Sequence, residues 1–304
     1  MREFDLLQHI YRTSRSLPEA VTIGPGDDMG AIRFGESTVL VTVDQVADGV
    51  HVQVDNTPLD RIAHKAIVRN LSDVAAMAAL PIGAVAAASL PRDFGKDRAN
   101  VLFDHMHRIA AEHDCPLIGG DISFWDHPLV LTVTILADPA GIEPVLRSGG
   151  QAGDRVYVTG RLGAAWREDG GGPHLTAEPR IAVARALASQ TAVKLHGMID
   201  LSDGLAGDLR HICERSGVDA RIEAASIPCR DGADVNRALY DGEDYELCFT
   251  AAGEVPAAVE GVMITPIGWL IERQAGDEPL IALTHADGRN EILTRGGWEH
   301  TNEP

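Results

Sequence analysis

The stretch Asp200-Leu-Ser-Asp-Gly204 decides the fold, because it sets two carboxylates and a hydroxyl where a helical pattern begins. The residues that follow have helical spacing, and the sequence predicts a helix over residues 203–216. An aspartate beside a glycine is common in ordinary turns, so this stretch alone would be interpreted as structural. Its meaning depends on whether the same arrangement recurs elsewhere in the chain.

Acidic residues recur at predicted strand ends and tight turns along the whole chain. The further segments of this kind are Gly26-Asp27-Asp28, Asp44, Ser72-Asp73, Gly119-Gly120-Asp121 and Asp241-Gly242-Glu243-Asp244. Mg²⁺ prefers hard oxygen ligands and is usually held by one or two carboxylates together with water and substrate phosphates. Neighbouring glycines let phosphate oxygens come close to backbone N–H groups. The set therefore predicts a site for polyphosphate bound through several divalent ions.

The charge balance excludes other classes of partner. The formal net charge is −19, with 45 acidic against 26 basic residues. An acidic protein gains nothing from counterion release on nucleic acid and is repelled by anionic membranes, so we expect neither as a partner. No G-x-x-x-x-G-K-[ST] loop is present, which leaves metal ions as the means of binding ATP. Four scattered cysteines without a C-x-x-C pair, and an N-terminus without an apolar signal core, indicate a cytoplasmic protein.

Hydrophobic periodicity predicts an α/β (α+β) protein of two domains. Hydrophobic residues make up 45% of the 304, enough for a sizeable core. The Gly-rich passage at residues 147–154 sets the predicted boundary, giving domains 1–148 and 149–304. The predicted helices cover residues 58–77, 96–113, 178–189 and 203–216. The predicted strands cover residues 39–43, 82–90, 117–121, 129–137, 155–159, 220–223, 246–250 and 262–268, and the one at 117–121 is expected to be buried and to end at a tight turn.

The order of the motifs resembles one known family. The matching segments are Gly24-Pro-Gly-Asp-Asp28, Thr42-Val-Asp44, Asp48-Gly-Val-His51, Asn70-Leu-Ser-Asp73, Leu117-Ile-Gly-Gly-Asp121, Arg147-Ser-Gly149, Asp200-Leu-Ser-Asp-Gly204 and Asp241-Gly-Glu-Asp-Tyr-Glu-Leu247. In this order they resemble the thiamine-monophosphate kinases, of the aminoimidazole-ribonucleotide-synthetase-like ATP-binding superfamily. The likeness spans nearly the whole chain, and its last two segments are the more diagnostic.

The resemblance implies a fold, an assembly and a reaction. The fold would be PurM-like with two domains, and the N-terminal domains would pair into a β-barrel across a homodimer. The reaction would convert thiamine monophosphate and ATP into thiamine diphosphate and ADP. The acceptor phosphate oxygen would attack the γ-phosphorus directly, so the resemblance assigns no general base.

Carried over position by position, the resemblance also implies roles for particular residues. The implied metal ligands are Asp28, Thr42, Asp44, Asp73, Asp121, Asp200 and Asp203. Those implied to bind ATP are Gly120, Asp121, Arg147 and Ser202, and a guanidinium such as that of Arg147 can fork two phosphate oxygens. Those implied to lie near thiamine monophosphate are His51, Glu243 and Trp298, where the indole would form a cation–π contact with the thiazolium.

Three departures from the family pattern keep other interpretations open. Val43 stands where the family often has a second hydroxyl, Asp241 replaces a glycine before Gly242-Glu243, and residues 161–173 form a compact segment. The chain could therefore be another ATP-using enzyme of the superfamily, such as an aminoimidazole ribonucleotide synthetase, with a different acceptor. A non-catalytic protein that binds ATP and Mg²⁺ is the alternative from another class, and the near-complete set of aspartates argues against it.

Overall fold

Two β-sheets organise the computed structural model, which describes residues 6–7, 10–11, 14, 17–274, 276, 279–294 and 296–298. The first sheet contains β1 (Val21–Ile23), β2 (Gly30–Phe34), β3 (Ser37–Ala47), β4 (Leu80–Pro91), β5 (Leu117–Trp125) and β6 (Val130–Asp138). These strands lie in the order β1-β2-β3-β6-β4-β5, in which only the β4–β5 pair is parallel. It is therefore a mixed sheet, and β5 forms one of its edges.

Two helices cover one face of the first sheet. They are α1 (Leu59–Ala76), which begins directly after Pro58, and α2 (Lys96–Glu112). Along β6 every second residue is buried against them, as expected for a strand with one covered face. The opposite face and the β5 edge leave large apolar side chains exposed, among them Val43, Ile118 and Phe124. An exposed apolar surface of this kind is typical of a protein–protein contact.

The second sheet has more strands than the first. It contains β7 (Arg155–Thr159), β8 (Val193–Asp200), β9 (Val218–Glu223), β10 (Leu247–Gly253), β11 (Ala258–Val259), β12 (Val262–Glu272), β13 (Ile281–Thr284) and β14 (Asn290–Ile292). Seven of the strands lie in the order β14-β13-β9-β12-β7-β10-β8, and β11 pairs with β12. Only β13 and β9 run parallel, so this sheet is also mixed.

Helices pack on both faces of the second sheet, next to two separate apolar cores. On one face lies α4 (Leu205–Ser216), with the short α5 (Val235–Tyr240) beside it. On the other face α3 (Ile181–Ala188) packs near Tyr157 and Phe249, whose rings stack with their centroids 5.1 Å apart. The C-terminal end of α1 contributes alanines to this second core, so α1 packs against both halves of the molecule.

The fold is thus a mixed α/β fold with two mixed sheets, and neither sheet closes into a barrel within the described residues. The predicted helices over residues 58–77, 96–113 and 203–216 are confirmed to within two residues at each end. The predicted turn after residue 121 is wrong, because β5 continues to Trp125 and is exposed rather than buried. The strand β8 was not predicted. The boundary between residues 148 and 149 stays a prediction.

No helix in the described part of the chain combines the length and the apolar character needed to cross a membrane.

Candidate active site

A cleft of about 1500 Å³ opens between the two sheets and their connecting loops. Most of the residues selected from the sequence line it. Those that do are Asp44, His51, Asp73, Arg147, Asp200, Ser202, Asp203, Glu243 and Trp298. Asp28 and Thr42 are buried next to these residues, 8% and 7% exposed. The fold therefore gathers eleven of the thirteen predicted site residues into one region.

Three aspartates from distant parts of the chain meet at the base of this cleft. Asp28 follows β1, Asp73 lies in the last turns of α1, and Asp200 ends β8. One carboxylate oxygen of each lies within 4.8 Å of those of the others. Burial and the neighbouring charge of Asp28 raise the pKa of Asp200 to about 7. Burial and the charges of Asp44, Asp200 and Asp28 raise the pKa of Asp73 well above its usual value.

The hydrogen bonds around these three carboxylates orient them but leave capacity unused. Ser72 Oγ donates to Asp200 Oδ2 at 2.7 Å, and Arg147 donates to Asp28 Oδ1 at 2.8 Å. The Thr42 hydroxyl donates to Asp73. The buried Asp28 Oδ2 has no hydrogen-bond partner among the described residues. Clustered carboxylate oxygens whose mutual repulsion Arg147 relieves only in part suit a hard divalent cation, so these residues fit Mg²⁺.

Helix α1 directs one polar stripe into the cleft. Lys65, Arg69, Ser72 and Asp73 are separated by four, three and one positions, which places them on one face of a helix. Arg69 Nε lies 3.3 Å from Asp44 Oδ2. The four side chains thus bind partners on β3, on β8 and on the loop before β10. The stripe joins the two halves of the site.

The start of α4 positions Asp203. The buried Asp208 carboxylate accepts hydrogen bonds from the backbone N–H groups of Asp203 and Gly204, at 3.1 and 3.0 Å. The backbone N–H of Trp298 donates to the Asp203 carbonyl at 2.8 Å, which holds the C-terminal segment beside the start of α4. A Cβ on Gly297 would lie 2.0 Å from that carbonyl oxygen, so only glycine permits this approach. Trp298 and Asp203 therefore line one end of the cleft together.

Glu243 is held at the other end of the cleft by buried partners. Lys65 Nζ, with a fully buried side chain, lies 2.6 Å from each Glu243 carboxylate oxygen, and His174 Nδ1 lies 3.2 Å from Oε2. Burial raises the pKa of Glu243, but the hydrogen bond from His174 and the charge of Lys65 outweigh it and lower the pKa to about 2. Burial lowers the pKa of Lys65 to about 8 in spite of that pairing. Glu243 is consequently ionised over the physiological pH range.

The extra carboxylate that departs from the family pattern is neutralised locally. Asp241 Oδ2 accepts hydrogen bonds from Arg237 Nε at 2.7 Å and from the Ala164 N–H at 3.1 Å. Its charge is therefore paired at the rim of the cleft. Val43, the other single-residue departure from the family pattern, is 58% exposed.

Gly120 and Asp121 lie away from the other predicted residues. The strand register places Asp44, Val133, Ala86 and Gly120 in one row across β3, β6, β4 and β5. Three inter-strand spacings separate the ends of that row, a distance of about 14 Å. Asp121 is exposed in the middle of the β5 edge strand. The fold does not bring these two residues to the cleft of their own chain.

Comparison with known proteins identifies the class first. Residues 26–137 match the family described as AIR synthase related protein, N-terminal domain, and residues 151–274 match the corresponding C-terminal domain. Together with the two-domain fold and the acidic cleft, these matches define a member of the AIR synthase superfamily.

Individual relatives then identify the family within this superfamily. The chain is 34% identical over 334 residues to the thiamine-monophosphate kinase of Escherichia coli (strain K12), covering 99% of both chains. It is 32% identical over 293 residues to that of Rhodopirellula baltica, covering 89% of this chain and 90% of the relative. The solved structure of AaThiL complexed with AMPPCP and TMP superimposes with a TM-score of 0.80 at 26% identity, covering 99% of this chain and 97% of that chain. The chain belongs to the thiamine-monophosphate kinase family.

Several site residues were not found from the sequence. Lys65, Arg69, His174 and Trp166 all lie in or beneath the cleft, but none belongs to a Gly–Asp turn. The one available signal was the spacing of Lys65, Arg69 and Asp73 along a predicted helix, which places them on one face. That signal is weak, because charged residues at helical spacing usually mark a solvated surface.

Proposed function

We propose that this chain transfers the γ-phosphoryl group of ATP to thiamine monophosphate, giving thiamine diphosphate and ADP, by direct in-line attack with several Mg²⁺ ions bound. The observation that carries the proposal is the cluster of Asp28, Asp73 and Asp200, whose carboxylates lie close together and in which the pKa values of Asp73 and Asp200 are raised, as expected where a cation is to be bound. The likeness to a structure complexed with AMPPCP, an ATP analogue, and TMP supports both substrates. The kinase relatives support the reaction.

The residues proposed to hold Mg²⁺ are the three aspartates together with Thr42, Asp44 and Asp203, and Asp121 is proposed to join them from the second chain of a dimer. When bound, the ions supply positive charge that stabilises the transferring phosphoryl group. The chain itself contributes the arrangement of the oxygens. Ser72 orients Asp200, Arg147 orients Asp28, and Asp208 fixes the backbone of Asp203 at the start of α4.

Arg147 and Ser202 are proposed to contact the phosphates of ATP. Arg147 is anchored from both ends, since its N–H donates to Asp27 Oδ1 at 2.7 Å and its guanidinium donates to Asp28. Its buried Nε has no hydrogen-bond partner in the described part of the chain. A guanidinium with an unused donor beside the cleft is suited to a phosphate oxygen.

His51, Glu243 and Trp298 are proposed to hold the acceptor. The ionised Glu243 and the indole of Trp298 both favour a cationic ring system. The acceptor phosphate oxygen is already anionic, so the attacking group needs no side chain to remove a proton. We therefore assign no general base, and the task of the protein is to position the two phosphates.

A homodimer is proposed from the exposed surface of the first sheet. Large apolar side chains are exposed on its uncovered face and edges, a composition that soluble monomers seldom show. They are Ile32, Phe34, Val43, Ile82, Val85, Ile118, Ile122 and Phe124. Pairing of two such sheets into a barrel would bury them. Because Gly120 and Asp121 lie on the exposed edge strand, pairing would also bring them towards the cleft of the partner, which accounts for their distance from their own.

A cytoplasmic location is proposed as well. The four cysteines are free and three of them are buried, which fits a reducing compartment.

The test of the proposed reaction is a mass-spectrometric assay of the purified chain with ATP, MgCl₂ and thiamine monophosphate. Thiamine diphosphate should form with Mg²⁺ and should not form when EDTA replaces it. Binding of ATP without formation of the diphosphate would contradict the proposed acceptor and leave the superfamily assignment intact. A panel of other phosphorylated acceptors, aminoimidazole ribonucleotide precursors included, would then be assayed under the same conditions.

A further inference from the structure

The buried ammonium of Lys65 connects the two sides of the acceptor end of the cleft. Besides the Glu243 carboxylate, Lys65 Nζ donates to the main-chain carbonyl of His51 at 2.7 Å and lies 2.8 Å from His174 Nδ1. The Lys65 side chain is 0% exposed, so it cannot touch a substrate itself. Its partners come from the loop after β3, from the segment after β7 and from the loop before β10.

Lysine is seldom buried without a reason. Taking its charge out of water is costly unless the ammonium is paired and hydrogen-bonded, and here its N–H groups donate to the His51 carbonyl and to the Glu243 carboxylate. Trp166 closes the site, with its ring centroid 5.2 Å from Nζ and 4.5 Å from the centroid of the His174 ring. Trp166 also lines the cleft. The Lys65 ammonium is therefore sealed beneath the wall of the cleft.

The loop that carries Glu243 needs such support. Glu243 and Tyr245 both have positive φ, +56° and +51°, a conformation that side-chain-bearing residues adopt at a cost. Conformations of this kind persist where surrounding contacts over-determine them. Backbone bonds from the Glu243 and Tyr245 N–H groups to the Ser202 and Leu201 carbonyls, at 2.7 and 2.8 Å, hold the main chain. Lys65 and His174 hold the side chain.

We infer that Lys65 is a positioning residue for the acceptor, which sets the Glu243 carboxylate and the His51 main chain in their places from beneath the cleft. The inference rests on the proposed function, since that function places Glu243 and His51 beside the acceptor. Lys65 lies two turns before Asp73 on the same helix, so its loss should disturb the acceptor end of the cleft and spare the metal-binding end.

The test compares Lys65→Met and Lys65→Gln with the wild type. Methionine keeps the length of the side chain without charge or donors, and glutamine keeps a donor without charge. We expect kcat/KM for thiamine monophosphate to fall about 10- to 100-fold in Lys65→Met and less in Lys65→Gln, in line with the loss of hydrogen bonds to a charged group. The KM for ATP should stay within about twofold of the wild-type value in both variants, because no ATP-binding residue contacts Lys65.

A matched control separates positioning from a general loss of stability. Ile62→Val removes one buried methyl group from the same helix, in the apolar core of the first sheet. It should lower the melting temperature without changing kcat/KM for the acceptor. Equal losses for both substrates in Lys65→Met, or an Ile62→Val variant with the same acceptor defect, would overturn the inference. If Lys65→Met does not fold, Lys65→Gln decides, and wild-type acceptor kinetics in a folded Lys65→Gln would equally overturn it.

A second measurement is independent of catalysis. Hydrogen exchange, followed by mass spectrometry on a peptide that covers residues 241–247, should be at least about tenfold faster in Lys65→Met than in Ile62→Val. If the wild type forms no thiamine diphosphate, the proposed function fails, and faster exchange would still establish Lys65 as the anchor of the Glu243 loop. Unchanged exchange in that peptide would refute the anchor itself.

Discussion

Replacing Asp200 by asparagine should stabilise the metal-free protein while it destroys the metal site. Asp200 lies at the end of β8 with its carboxylate buried beside Asp28, and its pKa is raised from 3.8 to about 7. A folded-state pKa above the unfolded value means that the folded protein holds this proton more tightly. The stability linked to this proton is fully present below pH 3.8 and is lost as the pH rises through about 7, above which the buried carboxylate is ionised.

The size of that loss follows from the pKa. At 1.36 kcal/mol per pH unit, a rise from 3.8 to about 7 corresponds to about 4 kcal/mol for the ionised form. Asparagine removes the charge but weakens the hydrogen bond from Ser72. The weaker hydrogen bond lowers the free energy of unfolding by about 1–2 kcal/mol. A net gain of about 2 kcal/mol remains at pH 8, and for a chain of 304 residues it raises the melting temperature by about 3 °C. At pH 4 the gain should disappear.

The assay is calorimetric unfolding of wild type and Asp200→Asn at pH 8 and pH 4, each with EDTA and with MgCl₂. Mg²⁺ should raise the melting temperature of the wild type at pH 8, because it binds the ionised carboxylates of the folded state. Asp200→Asn should lose most of that rise and all kinase activity. Asp154→Asn is the control: Asp154 is buried but paired with His196 at 2.8 Å, so its replacement should destabilise with or without Mg²⁺.

Two results would refute this reasoning. A lower melting temperature of Asp200→Asn than of wild type in EDTA at pH 8 would show that the carboxylate is not under electrostatic strain. A full Mg²⁺-dependent rise in the variant would show that Asp200 is not a ligand.

The remaining predictions concern single residues of the site and the assembly. Asp44→Ala or Asp203→Ala should abolish activity and leave the far-UV circular dichroism unchanged, and full activity in both variants would contradict the metal cluster. Arg147→Met should raise the KM for ATP at least about tenfold with little change in the KM for the acceptor, measured by steady-state kinetics. Trp298→Ala should raise the KM for thiamine monophosphate about 30-fold, which corresponds to about 2 kcal/mol for a desolvated cation–π contact. Phe124→Asp, on the exposed β5 edge, should produce a monomer in sedimentation velocity, and a dimer that persists would exclude this edge as the interface.

Local sequence chemistry predicted those elements whose signals are local. Helix α1 follows from Pro58 and a regular apolar period, and its observed ends lie within one residue of the predicted ones. The turn expected after Asp121 failed because Gly-Gly-Asp has the composition of a turn, whereas the backbone is held extended by pairing with β4, a contact distant in sequence. Strand β8 was missed because Lys194, His196 and Gly197 interrupt its apolar run. The extended backbone of β8 is stabilised instead by its antiparallel pairing with β10.

The residues of the candidate site also divide into those with a local signal in the sequence and those without one. The carboxylates that stand beside glycines in turns could be found from the sequence, and the fold gathers most of them in one cleft. Lys65 and Arg69 could not be found, since a polar residue on a helix is solvated unless another part of the chain covers it. That cover comes from residues more than 100 positions away, such as His174 and Glu243. Such burial is a property of the folded chain and has no local signature.

Helix α1 links the buried residues at the acceptor end of the cleft to the carboxylates at its metal-binding end. Lys65 and Asp73 are eight residues apart, so the helical rise separates their backbone positions by about 12 Å along the axis of α1. Two of the contacts of this helix with the second half of the molecule lie in the site, namely Lys65 with Glu243 and Ser72 with Asp200. A rotation of one half against the other would break both contacts together. These two hydrogen bonds therefore help to fix the two halves relative to each other and also set the distance between acceptor and metal, on which the geometry of transfer depends.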